Sequence, residues 1–329
     1  MVRFSEVLQW FRSQFISLPV PTKRYSGQTI IVTGSNVGLG LETARHFVAL
    51  DAQKVILAVR NRPKGEVAAK SIEQSTRRTG VVEVWDLDLC SYASVKAFAN
   101  RASTLDRLDV LVSNAGIVTY DFVLAEDNES TITVNVISGL LLALLLLPKL
   151  RETSIQFKKE TVLTFTGSFV HIMTEFAERK NQNILKSLAV KDKADMKDRY
   201  NVSKLIQLLL GRELAKQLTS SAKPGDIAVN VVNPGFVKTE VMRNGGAVFQ
   251  VFFKPWRALV ARPTEKGSRT IMHGAAGGKE THGQYLSDCA VAQPSEFVRS
   301  AEGLEVQEKL WDELGEILEN VAPWVIKNL

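Results

Sequence analysis

The chain has 329 residues, of which 45% are hydrophobic and 23% charged, and its 41 Lys and Arg against 35 Asp and Glu give a net charge of +6. That composition belongs to a globular protein with a real core, of a length for one large α/β domain or two small ones. No Lys/Arg run concentrates the excess charge, so nothing supports nucleic-acid binding. The cysteines, Cys90 and Cys289, and the histidines, His46, His171, His273 and His282, show no metal-ligand or disulfide spacing.

Residues 1–26 form an N-terminal extension that lacks the uninterrupted apolar core of a signal peptide. Phe4, Val7, Leu8, Trp10, Phe11, Phe15 and Ile16 cluster on one side of a helix. Such a helix either packs on the domain or frays, ending at Pro19 and Pro21, or else lies on a membrane surface. No segment reaches the roughly 18 consecutive apolar residues of a membrane span. The nearest, GLLLALLLLP at 139–148, reads as a buried helix. A cytoplasmic protein is expected, with a peripheral position on a membrane surface as the alternative.

From residue 27 onward, strand-like and helix-like stretches alternate. TIIVTGS, KVILAV, VVEVWDL, LDVLVSNAG, TVLTFTGS, DIAVNVVNPG and GQYLS are the strands, and helices are expected over 39–50, 64–75, 94–102, 127–150 and through Tyr200. Apolar strands alternating with helices predict an α/β, doubly wound Rossmann fold. The sheet should be largely parallel, with about seven strands and helices on both faces. Short linkers favour a single domain over 27–329, with ligands at the carboxyl ends of the strands. Two stretches are irregular: a charged rim insertion over about 172–198 and an aromatic, substrate-loop region over about 240–263.

The first strand ends in TGSNVGLG, with Gly34, Gly38 and Gly40. Between a strand and a helix, glycines at this spacing let a backbone approach a pyrophosphate at the positive helix end. A glycine-rich tight turn is the plainer alternative. At the end of the second strand, where NAD-specific folds place an acidic residue, the chain has Arg60, with Arg62 and Lys64 beyond. A guanidinium there suits a 2′-phosphate and favours NADP(H) over NAD(H). Tyr200 and Lys204, in YNVSK, share one helix face.

The glycine spacing, SNAG at 113–116, Tyr200 with Lys204, and NPGFVKT at 233–239 together resemble the short-chain dehydrogenase/reductase family. The C-terminal part is similar to its retinol-dehydrogenase-like branch, and the leader to fungal members. The resemblance implies roles for individual residues. Tyr200 would be the general acid/base. Lys204 would bind the nicotinamide ribose and lower the Tyr200 pKa from about 10. Ser168, where the family usually has a second serine at Gly167, would orient the substrate, with Thr166 as a weaker candidate. Asn135 would hold a water in the proton relay. Asn36 and Leu39 in the glycine loop, Asn114, Gly116, Asp88 at the adenine, and Val237 and Thr239 at the nicotinamide would complete the cofactor site.

The implied function is NADP(H)-dependent interconversion of a ketone or aldehyde and an alcohol on a small hydrophobic molecule. A fungal polyketide or terpenoid, or a retinoid-like compound, is the expected substrate, and no metal is expected. Phe249, Phe252, Phe253 and Trp256 fall where the family builds its substrate-covering loop, although an amphipathic segment closing the core explains them equally. The apolar helix around 140–147 corresponds to one that often pairs subunits, which leaves room for a homodimer or tetramer. A non-catalytic NADP(H)-binding sensor or assembly partner is the alternative. Such relatives usually lose the tyrosine or lysine, and this chain keeps both. An epimerase or dehydratase of nucleotide sugars would show a tighter glycine spacing and a larger C-terminal region.

Overall fold

Runs rich in Val, Ile, Leu and Thr build the sheet, because branched side chains pack well on a pleated surface covered on both faces. In the computed structural model, which describes residues 11–238 and 260–329, these runs are β1 (Thr29–Thr33), β2 (Lys54–Val59), β3 (Val82–Asp86), β4 (Val110–Ser113), β5 (Thr161–Thr166), β6 (Ile227–Asn233), β7 (Tyr285–Ser287) and β8 (Ala290–Ala292). Among the described residues they form one sheet in the order β8-β7-β6-β5-β4-β1-β2-β3. All neighbours are parallel except β7 and β8. The chain winds outward from β1 to β3, then returns to the other side of β1 as β4. That reversal opens a crevice at the carboxyl ends of β1 and β4.

The principal helices are α1 (Gly38–Ala49), α2 (Arg62–Thr76), α3 (Tyr92–Ser103), α4 (Ser138–Phe157), α5 (Arg199–Ser220), α6 (Thr264–Ala276) and α7 (Ala301–Val321). Successive strand residues point to opposite faces and so join different cores. Ile31 packs with residues of α3, α4, α5 and α7, whereas Ile30 and Val32 pack with residues of α1, α2 and α6.

The sheet has eight strands where about seven were expected. The addition, β8, follows β7 through Asp288 and Cys289, whose φ values of +54° and +59° give a two-residue turn with both central residues left-handed. That turn geometry suits an antiparallel hairpin, but its usual signature is Asn-Gly or Asp-Gly, and Asp-Cys hides it. The helix expected over 127–150 also starts later. Asn128–Glu129 first pairs with Leu124–Ala125, and a π-helical turn (Thr133–Ile137) then carries Asn135 before α4 begins.

The stretch Ser130–Phe157 is long and apolar enough to cross a membrane, but 94% of its apolar window is buried in the protein. Leu140, Leu141, Leu142, Leu144, Leu146 and Leu147 are all at most 1% exposed. They fill the protein's own core. Part of their cover is the C-terminal turn Val325–Asn328, where Asn328 Nδ2 donates to Leu144 O at 3.0 Å.

The 172–198 segment is more than a charged surface excursion. Phe176, Ile184, Leu185 and Leu188 are buried in the core. The Glu313 carboxylate on α7 accepts the Ile184 and Leu185 N–H groups at 2.8 and 2.7 Å. In the extension, Ser13 and Gln14 are buried while Phe11, Phe15 and Ile16 are exposed. Residues 1–10, Thr239 and the Phe249–Trp256 aromatic stretch lie outside the described residues.

Candidate active site

The turn between β1 and α1 is a cradle that only glycine can make. Gly34 and Gly38 both have φ of +64°, in the left-handed region. A Cβ on Gly34 would sit 2.8 Å from Ala115 Cα, and one on Gly40 would sit 2.5 Å from Gly34 O and 2.6 Å from Asn114 Nδ2. Val37 at the N-cap of α1 has no polar side chain to cap it, which suits the first N–H groups of the helix to an anion. Asn114 braces the cradle by donating to Thr33 O at 2.9 Å, while Thr33 Oγ1 accepts from the N–H of Asn114 and of Ala115, each at 2.9 Å. The cradle therefore has the shape and polarity for a dinucleotide pyrophosphate. Gly40→Ala should cost about 2 kcal/mol of stability through overpacking. It should also weaken dinucleotide binding about tenfold or more, as thermal unfolding and a cofactor titration would read.

A cavity of about 1380 Å³ runs from this cradle across the carboxyl ends of the strands. Typical small-molecule sites occupy about 300–1,000 Å³, so there is room for a cofactor and a second ligand. Gly34, Asn36, Gly38, Leu39, Arg60, Lys64, Asp88, Asn114, Gly116, Ser168, Tyr200, Lys204 and Val237 all line it. Gly40 and Asn135 stand behind its wall, and Thr239 is outside the described residues.

At the β2 end, Asn61 caps α2 through Lys64 N at 3.0 Å, turning Arg60 and Lys64 toward the cavity. Arg62 turns away to Asp86 at 3.2 Å and Glu66 at 3.5 Å. Burial raises the Cys90 thiol pKa, which the nearby Arg60 charge opposes. One Asp88 carboxylate oxygen accepts from Cys90 N at 2.9 Å.

The far end holds the reactive side chains. Tyr200 occupies the first turn of α5 and lines the cavity together with Ser168, which follows β5. One turn along, Lys204 Nζ lies 5.9 Å from the centre of the Tyr200 ring and donates to Thr166 O at 2.8 Å and Gln207 Oε1 at 3.0 Å. An ammonium has three protons, so one remains for a ligand. Asn135 is 1% exposed, and its amide is engaged at both ends: Oδ1 accepts from Ile117 N at 2.8 Å, and Nδ2 donates to Ile117 O and Ser203 Oγ, each at 3.0 Å. It ties the segment after β4 to α5, and its amide is committed to that tie.

Burial pushes the Tyr200 hydroxyl up to about 12, partly offset by the Ser168 side chain, and lowers Lys204 to about 8, because moving a charged group out of water is costly. Lys204 remains mostly protonated at pH 7.

Gln207 and Asn233 were missed. Gln207 stands three residues after Lys204 on the same helix, a spacing that could have revealed it. Asn233 Oδ1 accepts from Phe169 N at 3.1 Å and Gly235 N at 3.0 Å, a tie between two strand ends that no local pattern announces.

Residues 28–157 match the short chain dehydrogenase family. The short chain dehydrogenase/reductase dmxR8 of Cryptosporiopsis sp. (strain 8999) is 44% identical over 320 residues, 95% of this chain and 97% of that protein. Among solved structures, a Sphingobium yanoikuyae short-chain dehydrogenase in complex with NADPH superposes with a TM-score of 0.58 at 21% identity, covering 79% of this chain and 87% of that one. A 3-ketoacyl-(acyl-carrier-protein) reductase from Brucella melitensis complexed with NADH gives 0.59 at 20% identity, covering 80% and 97%. At such identities the structures speak to the fold alone.

Proposed function

Since the chain belongs to the short-chain dehydrogenase/reductase family, we propose that it is an NADP(H)-dependent oxidoreductase interconverting a ketone or aldehyde and an alcohol on a small hydrophobic molecule. The family binds nicotinamide cofactors and acts on small molecules. The observation that carries the reading is that Ser168, Tyr200, Lys204 and the glycine cradle all line one cavity.

In this reading the cradle of Gly34, Gly38 and Gly40 holds the pyrophosphate, Asp88 the adenine, and Arg60 with Lys64 the 2′-phosphate. Asn114 and Gly116 support the cofactor wall, and Val237 stands at the nicotinamide end. When bound, the reduced nicotinamide supplies hydride to the carbonyl carbon. Ser168 and Tyr200 hold the carbonyl oxygen, and Tyr200 gives it a proton as charge develops there. In the reverse direction Tyr200 takes the alcohol proton. Lys204 binds the ribose and stabilises the phenolate left behind.

The substrate end is lined by Ile117, Val118, Tyr120, Phe169, Met173 and Met196. This surface is apolar, and the thioethers adapt to irregular shapes. It favours a hydrophobic substrate such as a polyketide, terpenoid or retinoid-like ketone. The test is oxidation of NADPH against NADH over a panel of hydrophobic ketones. Turnover with none of them, or preference for NADH, would count against the reading.

The protonation states give a directional pH expectation. Carbonyl reduction needs Tyr200 protonated, which holds far above neutrality, and Lys204 charged, which fails as pH rises through about 8. The kcat/KM for reduction should therefore be level below pH 8 and fall above it, because this parameter follows groups of the free enzyme. Lys204→Arg, which keeps its charge to far higher pH, should remove that descending limb even if it lowers the plateau.

A further inference from the structure

The N-terminal extension reaches the wall of the cofactor cavity. Gln14 precedes Phe236 by 222 residues, yet its Oε1 accepts the Phe236 N–H at 3.0 Å. The neighbouring Ser13 carbonyl accepts from Arg262 Nη2. Arg262 is 3% exposed and also bonds Asp288 at 2.6 Å and Pro234 O at 3.4 Å. Its backbone brackets the same loop: Arg262 N donates to Phe236 O at 2.8 Å, and Lys238 N donates to Arg262 O at 3.0 Å. Further along the extension, Leu18 O accepts from Arg269 Nη1 at 2.7 Å.

These contacts converge on residues 234–237, all four of which line the cavity. Asn233 holds the loop from inside, through Gly235 N and through Phe169 N beside Ser168. Gln14 and Arg262 hold it from outside. The fit is tight: Gly235 has φ of +82°, and a Cβ there would lie 2.6 Å from Arg262 Nη1. Gln14 is itself 7% exposed, with Nε2 donating to Ser13 Oγ at 3.0 Å.

We propose that Gln14 is a positioning residue of the cofactor site, fixing the Phe236 backbone and through it the wall at the nicotinamide end. The extension is then part of the binding site. The proposal rests on the reading of the cavity as a nicotinamide-nucleotide site. Its physical basis is the cost of leaving a half-buried N–H without an acceptor, which the loop would avoid by moving.

Gln14→Met keeps the length of the side chain and removes the carbonyl, whereas Gln14→Glu keeps an acceptor oxygen. Amide hydrogen exchange over residues 234–238 of the cofactor-free protein reads the tie directly, and NADPH fluorescence titration reads its consequence. Gln14→Met should exchange about tenfold faster and bind NADPH about tenfold more weakly. Gln14→Glu should match the wild type in both. Unchanged exchange, or faster exchange with unchanged affinity, in Gln14→Met would overturn the proposal. A general packing role would weaken both variants alike, which would also overturn it. If Gln14→Met fails to fold, Gln14→Ser carries the same expectations. Wild-type protein that binds neither NADPH nor NADH would refute the cofactor reading itself, and the positioning role with it.

Discussion

Tyr200→Phe should reduce turnover about a thousandfold or more while NADPH binding persists, because general acid–base groups contribute roughly 10²–10⁴ in rate. The substitution removes one oxygen and keeps the ring. Tyr200 lines the same cavity as Ser168, with the Lys204 ammonium one helical turn away. Without the tyrosine hydroxyl a reduced oxygen has no proton donor in place, and Ser168 alone is left to hold the carbonyl. Ser168→Ala should be milder, about 10²-fold, since it removes a holding contact and leaves the proton donor in place. Steady-state kinetics beside an NADPH titration separates these outcomes. A Tyr200→Phe protein within tenfold of wild type would remove the catalytic assignment. A phenol pushed up to about 12 by burial is already the acid that reduction requires, whereas alcohol oxidation needs the base. Oxidation should accordingly rise with pH over the range where reduction is level.

The parts of the fold that were legible in the chain are those with local causes. Central strands read clearly because both faces are covered, which makes KVILAV apolar throughout and β2 end where that run ends. The glycine loop was legible because its residue type follows from backbone geometry and close approach, as the positive φ of Gly34 and the crowding at Gly40 show. Tyr200 and Lys204 were legible because helix pitch alone puts them on one face. Other features depend on partners distant in sequence. The Lys204 ammonium is held by a backbone carbonyl, Thr166 O, which no side-chain motif announces. The upward shift of Tyr200 comes from burial, a property of the assembled cavity. Gln14 lies in a segment whose apolar residues drew attention, while the contact with Phe236 is made by an amide among them. Asn135 was legible by position, but its engaged amide became visible only once β4 and α5 were brought together.

Arg60→Asp should invert the cofactor preference. Arg60 follows β2 directly and is exposed to the cavity, and Lys64 is its cationic neighbour there. Arg62, the other guanidinium of that turn, already pairs with Asp86 and Glu66. On the proposed NADP(H) reading, discrimination for a 2′-phosphate falls mainly on Arg60. A hydrogen bond to a charged group contributes about 1.5–3 kcal/mol, so losing it should lower kcat/KM for NADPH by about 10- to 150-fold. The introduced carboxylate adds repulsion toward the phosphate and accepts from the free ribose hydroxyls of NADH, so the two cofactors move in opposite directions. Arg60→Ala should show the first effect without the second. Salt supplies an independent reading, since an exposed guanidinium–phosphate contact is screened over about 8–10 Å at ordinary ionic strength. The wild-type KM for NADPH should rise with added salt, and that of Arg60→Asp should not. An unchanged NADPH-to-NADH ratio in Arg60→Asp would move phosphate recognition to Lys64 or away from β2 altogether.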